Sequence, residues 1–225
     1  MKNYFKTFLL LLLVSSATVI YAQDANAEAK ANTEIEQKAG EWVATLNLND
    51  AAKTQRVTAV IATHLKAIRE WNNTHPYTSV PAGIDPRTGD PLSELDRQII
   101  ANSAMPKSIH ENLMNGLHTD LTDEQVNAIL DKYTIGKVAF TMNGYKAIVP
   151  DLTAQEEAVI QGNLEKARAQ AVDYKSMKQI SAIFEIYKTK NEQYLNANGR
   201  NWHELFKAYV NAQKAKKAAA AKSSQ

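Results

Sequence analysis

Apolar residues along this chain recur at steps of three and four, not two. The clearest run is Val57, Val60, Ile61, His64, Leu65 and Ile68, which falls on one helix face with Arg56, Lys66 and Glu70 off it. Asp50 stands just ahead as a fitting N-cap. His64 lies on the apolar side and reads as a core histidine held by one hydrogen bond, not as a ligand. The same spacing recurs in Ile109, Leu113, Met114 and Leu117, then in Val126, Ile129 and Leu130, then in Ile160, Leu164, Ala167 and Ala171. Two further stripes follow: Met177, Ile180, Phe184, Tyr187, Tyr194 and Leu195, then Trp202, Leu205, Phe206 and Tyr209. Ile35, Trp42, Val43 and Leu46 predict a short helix near the start. No alternating run exceeds four residues, so the pattern predicts an all-α fold.

Helix boundaries are marked as clearly as the faces. Thr122 with Gln125 and Thr153 with Glu156 each fit a capping box, as does Thr33 with Glu36. Leu121 is also placed to staple onto Val126. Ser93 starts a helix carrying Leu95 and Ile99, Met105-Pro106 breaks it, and Gly199 suits a left-handed stop. Between Thr134 and Pro150 the breakers Gly136, Gly144 and Pro150 predict a turn-rich central bridge between two helices. Residues 75–91 hold four of the six prolines, spaced five apart, and cannot be helical. Such a loop reads as a surface linker, or more sharply as an arm lining a cleft through Tyr77, Asp85 and Arg87. The expected architecture is an irregular multi-helix bundle with a long Pro-rich loop and a turn-rich bridge.

Composition changes this picture mainly at the ends. Lys2 and Lys6, the apolar run from Phe8 to Val14 and small residues before Ala22 form a secretory signal over residues 1–22. The apolar run is far short of the roughly 20 residues a membrane span needs, so no stable membrane insertion is expected after cleavage. Residues 23–32 read as a flexible leader, 33–210 as a single helical domain, and 211–225 as a Lys/Ala-rich tail, frayed and solvated. Without residues 1–22 the chain holds 24 basic and 24 acidic residues, which argues against a nucleic-acid partner. Export predicts a periplasmic or extracellular location, and with no cysteine the fold must hold by its core alone.

Candidate chemistry is sparse. There is no Gly-rich phosphate loop, nucleophile elbow or paired-histidine zinc motif, and no cofactor is implied. His110, His118 and Asp120 match no metal-ligand spacing. Carboxylates such as Asp131, Asp151, Glu165 and Glu185 are plentiful, but a glycosidase needs two facing each other across a cleft. Tyr133, Phe140, Tyr145, Tyr174, Tyr187 and Tyr194 offer either a sugar-stacking platform or, more simply, core.

From Trp42 to Gly199 the chain resembles a secreted helical family, domain of unknown function 3826. The resemblance rests on W-V-x-x-L-x-L-x-D from Trp42, on L-T-D-E-Q-V from Leu121 with Thr134, Gly136, Thr141, Tyr145 and Pro150, and on Ala167, Arg168, Ala171 and Asp173. Tyr187, Lys188, Tyr194, Leu195 and Gly199 close it. Ile135, Ala169 and Glu192 depart from its pattern, and it brings no activity. Its shared polar positions, Tyr145, Arg168, Asp173, Tyr187 and Lys188, are the candidate binding residues. Asp173 is expected near Lys188 or Tyr187, and Arg168 is expected to reach Tyr145. The expected function is an exported, non-catalytic module that binds a glycan or a protein partner, as an accessory to polysaccharide use. A periplasmic holdase and a carbohydrate-active enzyme are the alternatives.

Overall fold

The computed structural model describes residues 26–86 and 88–223. The signal over 1–22 and the candidate contact Arg87 lie outside the described residues. Within them are nine α-helices: α1 (26–44), α2 (Ala51–Thr74), α3 (Glu94–Ser103), α4 (Lys107–Asp120), α5 (Asp123–Thr134), α6 (Lys137–Ile148), α7 (Ala154–Ala171), α8 (Met177–Ala197) and α9 (Trp202–Ser223). One 3-10 turn spans Tyr77–Ser79, and the described residues contain no β-strand, only an isolated bridge between Ile84 and Pro91. The fold is all-α, as the periodicity predicts.

The described residues divide into two compact units, one within 26–67 and 111–120, the other within 68–110 and 121–223. In the first, Ala39 and Val43 of α1, Val57 and Ile61 of α2, and Leu113 and Leu117 of α4 are buried. Gly116 lies so close to α2 that a Cβ there would stand 2.7 Å from Val60. Arg56 binds both oxygens of Asp120, at 2.9 and 2.5 Å, and Lys66 pairs with Glu36 at 2.6 Å. Asp50 caps α2 through the Lys53 amide at 2.9 Å, and His64 is buried as expected.

The second unit holds the larger core. Val138, Met142 and Tyr145 of α6, Ile160, Leu164 and Ala167 of α7, and Ile180, Ile183, Phe184 and Leu195 of α8 form one buried cluster. The expected capping boxes close at Thr122–Gln125 and Thr153–Glu156, and others close at Ser93–Asp96 and Ser176–Gln179. Gly199 takes φ +84°, with its amide on the Asn196 carbonyl and the Arg200 amide on that of Leu195, which is a Schellman stop.

Four expectations are corrected. The central segment is mostly helix: it turns at Ile135 and Gly136, both left-handed, and again at Pro150 as expected, but α6 runs straight through Gly144. Burial of Val138, Met142 and Tyr145 outweighs the weak helix propensity of one glycine. Residues 26–32 of the expected flexible leader are the first turns of α1. Thr33 accordingly caps nothing, and its hydroxyl donates back to the Ala29 carbonyl at 3.0 Å. The tail is helical to Ser223, as its alanines favour.

The proline loop is pinned, not loose. Arg97 donates to the Val80 carbonyl at 2.9 and 2.6 Å, its guanidinium lies over the Tyr77 ring, and Gln98 donates to the His75 carbonyl at 3.0 Å. The loop tip closes on itself through Asp85 N–H to the Asp90 carbonyl and Leu92 N–H to the Gly83 carbonyl, both 2.8 Å.

Candidate functional site

Three helices of the second unit wall a cleft of about 570 Å3, and helical spacing explains which residues face it. From α6 come Lys137, Phe140, Thr141, Gly144, Tyr145 and Ile148; from α8, Phe184, Glu185, Lys188 and Glu192; from α9, Trp202, Phe206 and Tyr209. The α8 and α9 residues recur about every turn and form one stripe of each helix, whereas α6, which also contributes Asn143 and Ala147, turns a broader face to the cleft. The α9 stripe arrives because Gly199 stops α8 and turns the chain back, and because Arg200 is then clamped. Its guanidinium donates to both oxygens of Glu156 at 2.9 Å, to the Asp151 carboxylate at 2.8 Å and to the Asp151 carbonyl at 2.9 Å. Glu156 already accepts from the Thr153 amide at 2.8 Å, so one carboxylate fixes both the start of α7 and the approach of α9.

Aromatic rings dominate the cleft. Trp202 packs with Tyr145 at 5.2 Å between centroids and with Phe206 at 6.1 Å. Phe140 and Phe206 are 77% and 48% exposed, unusual for rings that could have been core. Tyr145 is buried, and its hydroxyl donates to the Lys188 carbonyl at 3.2 Å. Burial first, and the Glu192 carboxylate second, push that hydroxyl well above its usual range, so it stays a neutral donor.

The polar groups are distributed unevenly. Lys188 Nζ is held by both Glu185 oxygens at 3.0 Å, and Lys137 Nζ lies over the Phe184 ring at 5.7 Å. Glu192, one turn beyond Lys188, is half-buried and, among the described residues, forms no ion pair. Burial raises its carboxyl above the ordinary value, with Lys188 opposing and Glu185 adding.

The structure brings two of the five candidate residues, Tyr145 and Lys188, into this cleft and places the others elsewhere. Arg168 does not reach Tyr145: it is buried between α7 and α5, donating to Asp131 at 2.8 Å and to Asn127. Asp173, in the turn after α7, faces α4 and pairs with His110 Nδ1 at 2.9 Å in place of Lys188 or Tyr187. The Tyr187 hydroxyl donates to Gln170 at 3.2 Å. Tyr133 and Tyr174 are buried, the core alternative for aromatics. Sequence reasoning missed Glu192 and Arg200, and it placed Trp202, Phe206 and Tyr209 on a helix face without knowing what that face meets. Their three-four spacing was the available signal.

A second, apolar groove of about 900 Å3 runs between α3 and α8, with Leu95, Ile99, Ile100, Met177 and Ile186 along it and Asp85 of the proline loop at its edge. No helix among the described residues is long and apolar enough to cross a membrane. The family described as "Protein of unknown function (DUF3826)" matches residues 32–215, and no curated protein matches.

Proposed function

The chain belongs to the DUF3826 family, whose description assigns no activity, and we propose from its cleft that it is an exported, non-catalytic sugar-binding protein serving polysaccharide use. The observation that carries this reading is the pair of solvent-facing rings, Phe140 and Phe206, flanking one cleft with Trp202 beside them. Sugar rings present apolar C–H faces that stack on aromatic faces, and their hydroxyls bond to charged and amide groups at the rim. Glu185, Lys188, Glu192 and Asn143 supply such groups here.

Calorimetric titration against a panel of oligosaccharides tests the reading. Phe140→Ala and Phe206→Ala should each weaken binding roughly ten-fold, about 1.4 kcal/mol, with melting unchanged for Phe140→Ala, whose ring is 77% exposed, and lowered slightly for Phe206→Ala, which loses its packing on Trp202. Binding that survives both substitutions would move the ligand out of this cleft. Export is checked by intact-mass measurement of secreted protein, expected to begin at Gln23.

The α3/α8 groove favours a second reading, a holdase, because Ile100, Met177 and Ile186 are exposed together. Suppression of client aggregation that is lost in an Ile100→Glu, Ile186→Glu double variant would support it over sugar binding.

A further inference from the structure

The cleft contains two cations and two carboxylates, and among the described residues Glu192 is the one of the four that neither forms an ion pair nor rests on a ring. Lys188 and Glu185 satisfy each other at 3.0 Å. Lys137 rests its ammonium on the Phe184 ring. Glu192 has neither an ion pair nor a ring to face, although it is half-buried beside the aromatic wall. A half-buried carboxylate eased only by Lys188, which is itself committed to Glu185, is incompletely compensated, and its environment favours an arriving positive charge. The rings around it act in the same direction, because aromatic faces carry negative potential and attract ammonium groups within about 6 Å. An anionic ligand would instead have to compete with Glu185 for Lys188 or draw Lys137 off Phe184.

We propose that the cleft selects a ligand bearing a free ammonium, which for a glycan means an amino sugar whose amine is not acetylated, and that Glu192 pairs with this group while Trp202 and Phe206 enclose it. The inference rests on the sugar-binding reading for the glycan part only; the ammonium part stands on Glu192 and the rings. Acetylation removes the charge and adds bulk, so it removes the ion pair and the ring attraction together.

The full chain is titrated with a glucosamine oligosaccharide, its N-acetylated counterpart, a neutral glucose oligosaccharide of equal length, and butylammonium. The expected result is at least ten-fold tighter binding of the glucosamine form than of the other two sugars. Glu192→Gln, nearly isosteric at a position without an ion pair, should melt at or above the wild-type temperature and lose this preference, the glucosamine form weakening until it binds no tighter than the neutral sugar. Equal binding of all three sugars, or a preference that persists in Glu192→Gln, overturns the inference while sugar binding stands. Butylammonium binding that depends on Glu192, with no sugar bound, overturns the sugar reading and keeps the ammonium site. Absence of binding by all four probes overturns both.

Discussion

Glu156 and Arg200 show how much of this fold hangs on single side chains. The Arg200 guanidinium first, then the Thr153 amide, holds the Glu156 carboxyl down at about 2, against an ordinary 4.5. A depressed acid stabilises the folded state above its unfolded value and loses that contribution as protons return. The melting temperature should therefore fall as pH drops from about 4.5 toward 2, and Glu156→Gln should flatten that fall in thermal melts between pH 6 and 2. Arg168 is a different case. It is 6% exposed, its Nε has no acceptor, and its partners Asp131 and Asn127 belong to α5. It is a clasp between α5 and α7 whose partners stay solvated when it is removed, so Arg168→Ala should destabilise by roughly 1–2 kcal/mol, with ligand affinity at the cleft unchanged where the protein is still folded. Neither guanidinium's partner was legible beforehand: Arg168 was noticed for its family position and Arg200 not at all, because ion pairs that bridge 37 and 44 residues leave no local spacing.

At the scale of elements, the sequence was most legible where the chemistry is local. Thr122, Thr153 and Gly199 act through neighbours three to five residues away, and their roles were readable for that reason. It was least legible at α6, where Gly136 and Gly144 look alike but only the first needs a positive φ. Gly144 sits in a helix whose stability comes from tertiary burial, which no local pattern reports. That glycine also lines the cleft, and a Cβ on it would meet nothing within 4 Å. Gly144→Ala should thus stabilise the protein by up to about 1 kcal/mol, while Gly144→Leu should fill the cleft and abolish ligand binding without lowering the melting temperature. Thermal melts and titrations on the same two variants separate the effects. Thr33 teaches the converse: a threonine three residues before a glutamate is a cap only when the helix starts there, and alanines upstream extended α1 past it.

Across the molecule, the cleft draws residues from positions 137 to 209, and only the assembled second unit makes them neighbours. The five candidate polar residues were plausible singly, but helix faces 30 residues apart can be matched only when the packing is known. Charge was easier to read, since it needs no geometry: beyond Glu204 the chain is free of acid, and residues 211–222 are exposed along the whole of their helix. Deleting everything after Gln213 should leave both melting temperature and cleft affinity unchanged, since residues 214–222 are exposed; a drop in either would show that the tail takes part in the fold or the site.

That same helix has a mechanical consequence. Trp202, Phe206 and Tyr209 are its anchored end and form a wall of the cleft, while residues 211–222 continue it as an exposed helical rod. From Tyr209 to Ser223 the rod is about 20 Å long, so a tilt of roughly 5° at the wall sweeps its tip through about 2 Å. Occupancy of the cleft is then written at the far end of a lever, where a paramagnetic or fluorescent reporter near Lys222 would read it without touching the ligand.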